Sequence, residues 1–449
     1  MEPGRYRAMS IPVVTVGDSR DDLVGGLERL HGPVSVVRRC SELAELLAAC
    51  QSGLARAAVV AAGSEELTAS LVDRLSAVGV VVIALTDNPE ETVRLRTIGV
   101  AAEARAIDAA ALAARISAAV AQLSGAGDGP GLAARDGASS VAVAAAGQMP
   151  RSSGAPPVTA SPAAKGRIIA VWGPAGAPGR TLVAANIAGE LAAEGQSVLL
   201  VDADSYGASV AALLGLLDEA AGLAQACRLA DQGLLDADAL VRIATTVPTK
   251  AGTMRVLTGI TRADRWTELR AAALTLVLDR AREIADVTVV DTGFCLETDD
   301  ALGFDSGAPR RNAATLRSLE LADTVFAVGA ADSIGVPRLV RGLAELRTAV
   351  PQASPHVVLN KVRTSAVGRS PERQLRAAWE RYGPSAPLSA FLPSDPAASD
   401  AALLSGALLL ESAPESELRQ AIATLVCAPA QRIKKSFVFS STARRRAKG

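Results

Sequence analysis

The chain has 449 residues, enough for two or three domains, and combines 49% hydrophobic residues with only 3% aromatics. Its net charge of −1 and pI near 6.3 supply no global field drawing it toward nucleic acid. Five scattered cysteines without CxxC pairs and only two histidines argue against a disulfide framework, a metal cluster and histidine-based catalysis. The first residues show no apolar core behind their basic side chains, and no apolar run reaches bilayer length. A cytoplasmic protein with reduced thiols is the expectation, with peripheral contact at the inner face of the cell membrane left open.

From the start, Ile11–Val16 and the short run Val34–Val37 read as strands and Ala57–Ala61 and Val80–Leu85 as buried strands, with helical segments beside them. Strands alternating with helices predict a parallel, doubly wound sheet over residues 10–123. The order resembles the response-regulator receiver domain. Asp18 and Asp21 stand where its acidic pair belongs, Thr86 where its hydroxyl belongs, and Glu103 and Arg105 near its lysine. The third strand, however, ends in Ala61-Ala62-Gly63-Ser64, with no carboxylate to phosphorylate. The resemblance therefore implies a pseudo-receiver used for docking. Asp18 and Asp87 also fit helix-capping or turn positions.

Residues 124–164 are dominated by Gly, Ala, Ser and Pro without periodicity, the composition of a flexible tether. Val141-Ala142-Val143 is its only candidate docking patch. A second α/β domain is expected over 165–430. Ile168–Trp172 reads as a strand, Gly173 to Thr181 as a Gly-rich loop, and Thr181–Leu191 as a helix with one apolar face. Val198–Val201 then ends in Asp202-Ala203-Asp204. Strand, Gly-rich loop, helix and acid-tipped strand form a phosphate-binding layout. Glycines turn backbone N–H groups inward, the helix start adds its dipole, Arg180 supplies charge, and the Thr181 hydroxyl suits Mg²⁺.

On that loop the chain resembles the MinD/ParA family of P-loop ATPases, whose loop reads KGGxGK[ST]. Gly176 and Gly179 are kept, Ala177 and Pro178 lie between them, and Arg180 stands for the Walker lysine. Ala175 falls where the family has its second, dimer-bridging lysine. Arginine keeps the charge but is not equivalent to an ammonium. The resemblance implies ATP and Mg²⁺ as cofactors and backbone contacts to phosphate from 176–182, Leu182 included. Thr181, Asp204 and Asp291 would serve the metal, and Asp202 and Asp204 would position the attacking water. Asp291 ends the strand Val287–Val290. Asn360 follows the strand Val357–Leu359 at the family's adenine contact, and Pro393 and Asp395 lie in a segment resembling its closing base-binding loop. Asp202 as a mere helix cap is the competing reading.

Two segments in this half read as surface helices, one at Leu213–Leu217 and one around Leu234, Leu235 and Leu240. Arg310-Arg311-Asn312 reads either as a switch surface or as a helix start pairing with Asp299 and Asp300. Trp172, Trp266 and Trp379 read as core or docking aromatics. The tail, 431–449, is basic and interleaves Phe437, Val438 and Phe439, so it suits anionic lipid, DNA phosphates or plain solvation.

The combination of domains resembles the CpaE/TadZ branch, and the loop looks like the variant of CpaE-like proteins in actinobacteria. That resemblance implies positioning of Flp/Tad pilus or secretion machinery through an ATP-dependent homodimer. Septum-site or chromosome-partitioning ATPase and catalytically inactive scaffold are the alternatives. Pilus or secretion ATPases and polar or septal proteins are the implied partners.

Overall fold

The computed structural model describes residues 10–17, 23–30, 32–125, 165–216, 220–250, 252–298 and 310–426. Asp18, Asp21, Asp299, Asp300, Val141–Val143 and the basic tail lie outside the described residues.

The N-terminal unit is a five-stranded parallel sheet. Its strands are β1 (Ile11–Val16), β2 (Val34–Cys40), β3 (Ala57–Val60), β4 (Val81–Leu85) and β5 (Ala101–Glu103). The order is β2-β1-β3-β4-β5, with every pairing parallel. This is the flavodoxin-like doubly wound order. Both faces are covered, so β3 is buried throughout and has no alternation to show. The last helix, Ala109–Gly125, runs slightly past the expected domain end.

The second unit holds eight strands: β6 (Arg167–Trp172), β7 (Val198–Ala203), β8 (Thr245–Thr249), β9 (Gly252–Leu257), β10 (Val287–Thr292), β11 (Thr324–Ala330), β12 (Pro355–Val362) and β13 (Leu388–Pro393). Their order is β13-β12-β11-β6-β10-β7-β9-β8. The sheet is parallel except for β8, which pairs antiparallel with β9 at one edge. Pro248 sits in that edge strand, where its missing N–H costs no central ladder bond. The strand β13, at the other edge, was expected to be loop from Phe391 onward. Its half-exposed Ser389 and Ala390 mask the strand pattern, and pairing to β12 forms it.

The two segments expected at the surface are largely inside. Leu213, Leu214, Leu235 and Leu240 are buried, while Leu234 alone among those described is 55% exposed. Short helices rich in Ala and Leu can pack closely enough on the sheet to lose their solvent face. Trp172 and Trp379 are core residues, and Trp266 packs against the core in part.

The helix after the Gly-rich loop, Arg180–Ala193, is buried on nearly all sides. Its polar residues are therefore spent on neighbours. Asn186 donates to Leu182 O and accepts from Leu409 N, and Glu190 takes a two-pronged ion pair from Arg419. These contacts hold the C-terminal helices against the loop's own helix. Among the described residues no helix is long and apolar enough to cross a membrane.

The two units touch through a small polar junction. Asp231 accepts from Ser70 N at 2.8 Å and pairs with Arg270, and Arg94 donates to Gln232 O at 3.0 Å. Ala272 and Leu276 pack against the N-terminal core beside it. Asp231→Ala should cost about 1–2 kcal/mol at this junction. The expected result is faster hydrogen exchange in the helix Ala69–Ala77 with the helix Arg180–Ala193 unaffected; unchanged exchange would dismiss the junction as a hold.

Candidate functional site

The site lies at the carboxyl ends of β6, β10, β7 and β12, beside the point where the strand order reverses around β6. Open α/β sheets bind ligands there. The loop from Gly173 to Gly179 follows β6 directly. Gly176 has φ of 112°, Ala177 50° and Gly179 97°, so the backbone turns through left-handed conformations three times. Such a turn forms an anion-binding concavity at the start of the helix Arg180–Ala193. Gly179 is required twice over. Beyond its φ, a Cβ there would stand 2.5 Å from the Asn360 amide nitrogen.

Register places the acids. Asp291 on β10 is the paired neighbour of Asp202 on β7 and of Val171 on β6. Adjacent residues in a parallel ladder share a face, so the two carboxylates stand side by side. Both are about 1% exposed. Burial is the main cause that pushes Asp202 up to about 6, against hydrogen bonds from Val210 N and Asp204 N and with help from the Asp204 charge. Asp291 is raised well above the ordinary aspartate range, first by burial and then by Asp202. Thr181 Oγ1 donates to Asp291 Oδ2 at 2.6 Å, whereas Asp291 Oδ1 is buried without a hydrogen-bond partner.

Asp202 Oδ2 accepts from Ser209 N and Val210 N, the start of a short helix, and Oδ1 accepts from Asp204 N. It therefore performs the capping role. Asp204 stands nearer the loop: Oδ1 accepts from Tyr206 N and Gly207 N, and Oδ2 pairs with Arg180 at 3.2 Å. The Arg180 side chain is only 13% exposed. Its guanidinium also donates to Thr292 O, Gly173 O and Pro174 O, tying the loop's root to β10 and Asp204.

The remaining expected residues divide. Asn360 is brought to the loop, donating to Pro178 O at 2.8 Å. The Leu182 side chain packs against the core, so only its backbone faces the loop. Pro393 ends β13. Asp395 caps the helix Pro396–Ser405 by accepting from Ala398 N, and it also accepts from Ser416 Oγ. Those two bonds hold its carboxyl below the usual range.

Asn312 precedes the helix Ala313–Leu321, so the segment is a helix start. Its arginine has a partner the sequence did not suggest. Arg311 lies 3.9 Å over the Tyr206 ring and donates to Ser205 O, while Tyr206 OH donates to Asn312 Oδ1. Tyr206 also packs on Phe294 at 4.8 Å. The loops after β7 and β10 are thereby joined. An aromatic two residues past an acid pair was the available signal.

A ParA family model, described as the NUBPL iron-transfer P-loop NTPase, matches residues 165–237. This segment is ParA-like. The ParA-like stretch contains the loop, its helix, Asp202 and Asp204, but not Asp291 or Asn360. Solved structures similar to the chain include the cell division ATPase MinD of Pyrococcus furiosus, at 22% identity. That match covers 58% of this chain and 97% of that one, with a TM-score of 0.44. The septum site-determining protein MinD of Pyrococcus horikoshii, complexed with Mg-ADP, matches at 21% over 58% and 94%, TM-score 0.44. A ParA family ATPase of Chlorobium tepidum matches at 20% over 57% and 97%, TM-score 0.47. At these scores the likenesses carry no functional weight. No curated protein matches the chain.

Magnesium is the metal the resemblance implies, and the residues present fit it. The orphaned Asp291 oxygen and the adjacent Thr181 hydroxyl are hard oxygen donors. Among the described residues no three acidic, histidine or cysteine side chains converge as a metal cage.

The raised acids set a pH signature. Their folded pKa lies above the unfolded one, so their stabilising contribution is present at acid pH and lost as pH rises, for Asp202 through about 6. Asp291→Asn keeps an acceptor for Thr181 and removes one ionisable group from the buried pair. Without nucleotide at neutral pH it should raise stability by about 1 kcal/mol, or roughly 2–4 °C in melting temperature. An unchanged or lower melting temperature would contradict the charge crowding.

Proposed function

We propose that the chain is an Mg-dependent ATP-binding organiser of the MinD/ParA kind, hydrolysing slowly and alternating between monomer and ATP-bridged dimer. The observation that carries this reading is the Thr181–Asp291 contact beneath the loop, with one Asp291 oxygen buried and unmet. A fold has no structural use for such an oxygen, whose burial without a bond is costly. Bound magnesium would lower the phosphate charge and present it to the loop. Thr181 and Asp291 would hold the metal, directly and through water, with Asp204 beside them.

Of the two catalytic candidates, Asp204 is the one paired with Arg180 at the loop. Asp202 behind it acts as a positioning residue, through its bond from Asp204 N. Asn360 supports the loop at Pro178 and stands at the proposed adenine end with Pro393 and Asp395. The proposed cargo is Flp/Tad pilus or secretion machinery, with a pseudo-receiver as docking unit. A catalytically inactive scaffold is the second reading. It is favoured by Arg180, whose donors are already committed to four protein acceptors.

Arg180→Ala removes the loop's own cation and the brace on its carbonyls. Mg-ATP binding measured by calorimetry should weaken by on the order of 1.5–3 kcal/mol, and the ATP-dependent doubling of mass in sedimentation should be lost. Unchanged affinity in the variant would reject the loop as the phosphate site. No binding by the parent chain would favour the scaffold.

A further inference from the structure

Among the described residues only two that are not glycine have left-handed backbone, Ala177 with φ of 50° and Lys361 with φ of 58°. They touch. Lys361 Nζ donates to Ala177 O at 2.8 Å, across the mouth of the loop. Left-handed backbone disfavours a residue with a Cβ, and glycine would relieve it. Two such positions meeting at one ligand site call for a reason in the side chain.

The local structure shows how Lys361 arrives there. Pairing of β12 with β13 shifts register between Leu359 and Val362, which leaves an extra residue on β12. That bulge turns Asn360 and Lys361 toward the loop. The Lys361 backbone N–H donates to Asn360 Oδ1, whose amide in turn holds Pro178 O. Asn360 is buried, whereas Lys361 is exposed at the rim. A second cation comes close to the loop: a Cβ on Gly176 would stand 2.5 Å from Arg338 Nη1.

An uncommitted cation is what the loop itself lacks. Position 175 is alanine, and the Arg180 guanidinium is turned to Thr292 O, Gly173 O, Pro174 O and Asp204. A bound polyphosphate still needs a cation on its open side. An ammonium has three donors, and Ala177 O takes one of those of Lys361.

We propose that Lys361, carried by the β12 bulge, is a phosphate-binding residue supplying from outside the loop the ammonium the loop does not contain. The proposal rests on the reading of Gly173 to Thr181 as a nucleotide-phosphate site. The lysine swings from the Ala177 carbonyl onto the anionic oxygens, and the strained backbone keeps it within reach.

Lys361→Gly separates this role from folding, since glycine accepts the left-handed backbone and removes only the side chain. Calorimetry on the full chain would compare Mg-ATP and Mg-ADP binding by the parent, Lys361→Gly and Lys361→Arg. The expected result is Mg-ATP affinity lowered roughly tenfold or more in the glycine variant. The arginine variant should retain most of it, and the glycine variant should melt no lower than the parent. Unchanged affinity in Lys361→Gly with normal parent binding would overturn the role and leave the phosphate loop standing. A lower melting temperature with equal loss in Lys361→Arg would overturn it in favour of a structural lysine. Absence of binding by the parent would overturn the loop reading, and this inference with it.

Discussion

Two carboxylates placed side by side in the dark interior of a sheet are the constraint on which the site depends. Asp202 and Asp291 share a face because β7 and β10 run parallel in matched register. Neither can move away without shifting a central strand. The fold answers part of the cost locally: backbone N–H groups bond Asp202, the Thr181 hydroxyl bonds Asp291, and Arg180 covers Asp204. One Asp291 oxygen is left over. An incoming cation would relieve repulsion and meet that oxygen at once, and its binding would then be coupled to the stability of the sheet's centre.

Around this centre the surroundings are arranged to hold positions. The helix that opens at the loop is tied to the C-terminal helices through Asn186 and Glu190, and the loops after β7 and β10 are tied through Tyr206 and Arg311. Electrostatic stabilisation depends on groups already fixed where charge will appear, so such ties matter as much as the acids themselves. The N-terminal sheet docks through Asp231 and Arg94, away from the residues of the Gly173–Gly179 loop.

Central strands and their acid tips were legible in the sequence because a short, β-branched apolar run ending in Asp suits a buried strand with a polar tip and little else. Ile168–Trp172, Val198–Val201 and Val287–Val290 appear as expected, with β7 and β10 reaching their acids. The edge strands of the second sheet were not legible: Thr245–Thr249 and Leu388–Pro393 are half exposed, contain proline, and form by pairing with a neighbour. In the site, residue types announced Thr181, Asp202, Asp204 and Asp291, but not who meets whom. Asp202 as a helix cap was one of two readings of the sequence, but that Arg180 folds back onto carbonyls of its own loop and that Lys361 crosses to Ala177 follow from the turn of the loop and a bulge. Neither is written in local spacing. Asp395 is a further case, since the sequence pattern did not show that this acid caps the helix Pro396–Ser405.

The most direct test of the central claim is the melting temperature of the full chain with ATP, measured with magnesium and again with the metal chelated. If the carboxylate pair is held uncompensated until a cation arrives, Mg-ATP should raise the melting temperature well beyond metal-free ATP. Equal shifts with and without magnesium would contradict the account, because the nucleotide would then bind without engaging Asp291.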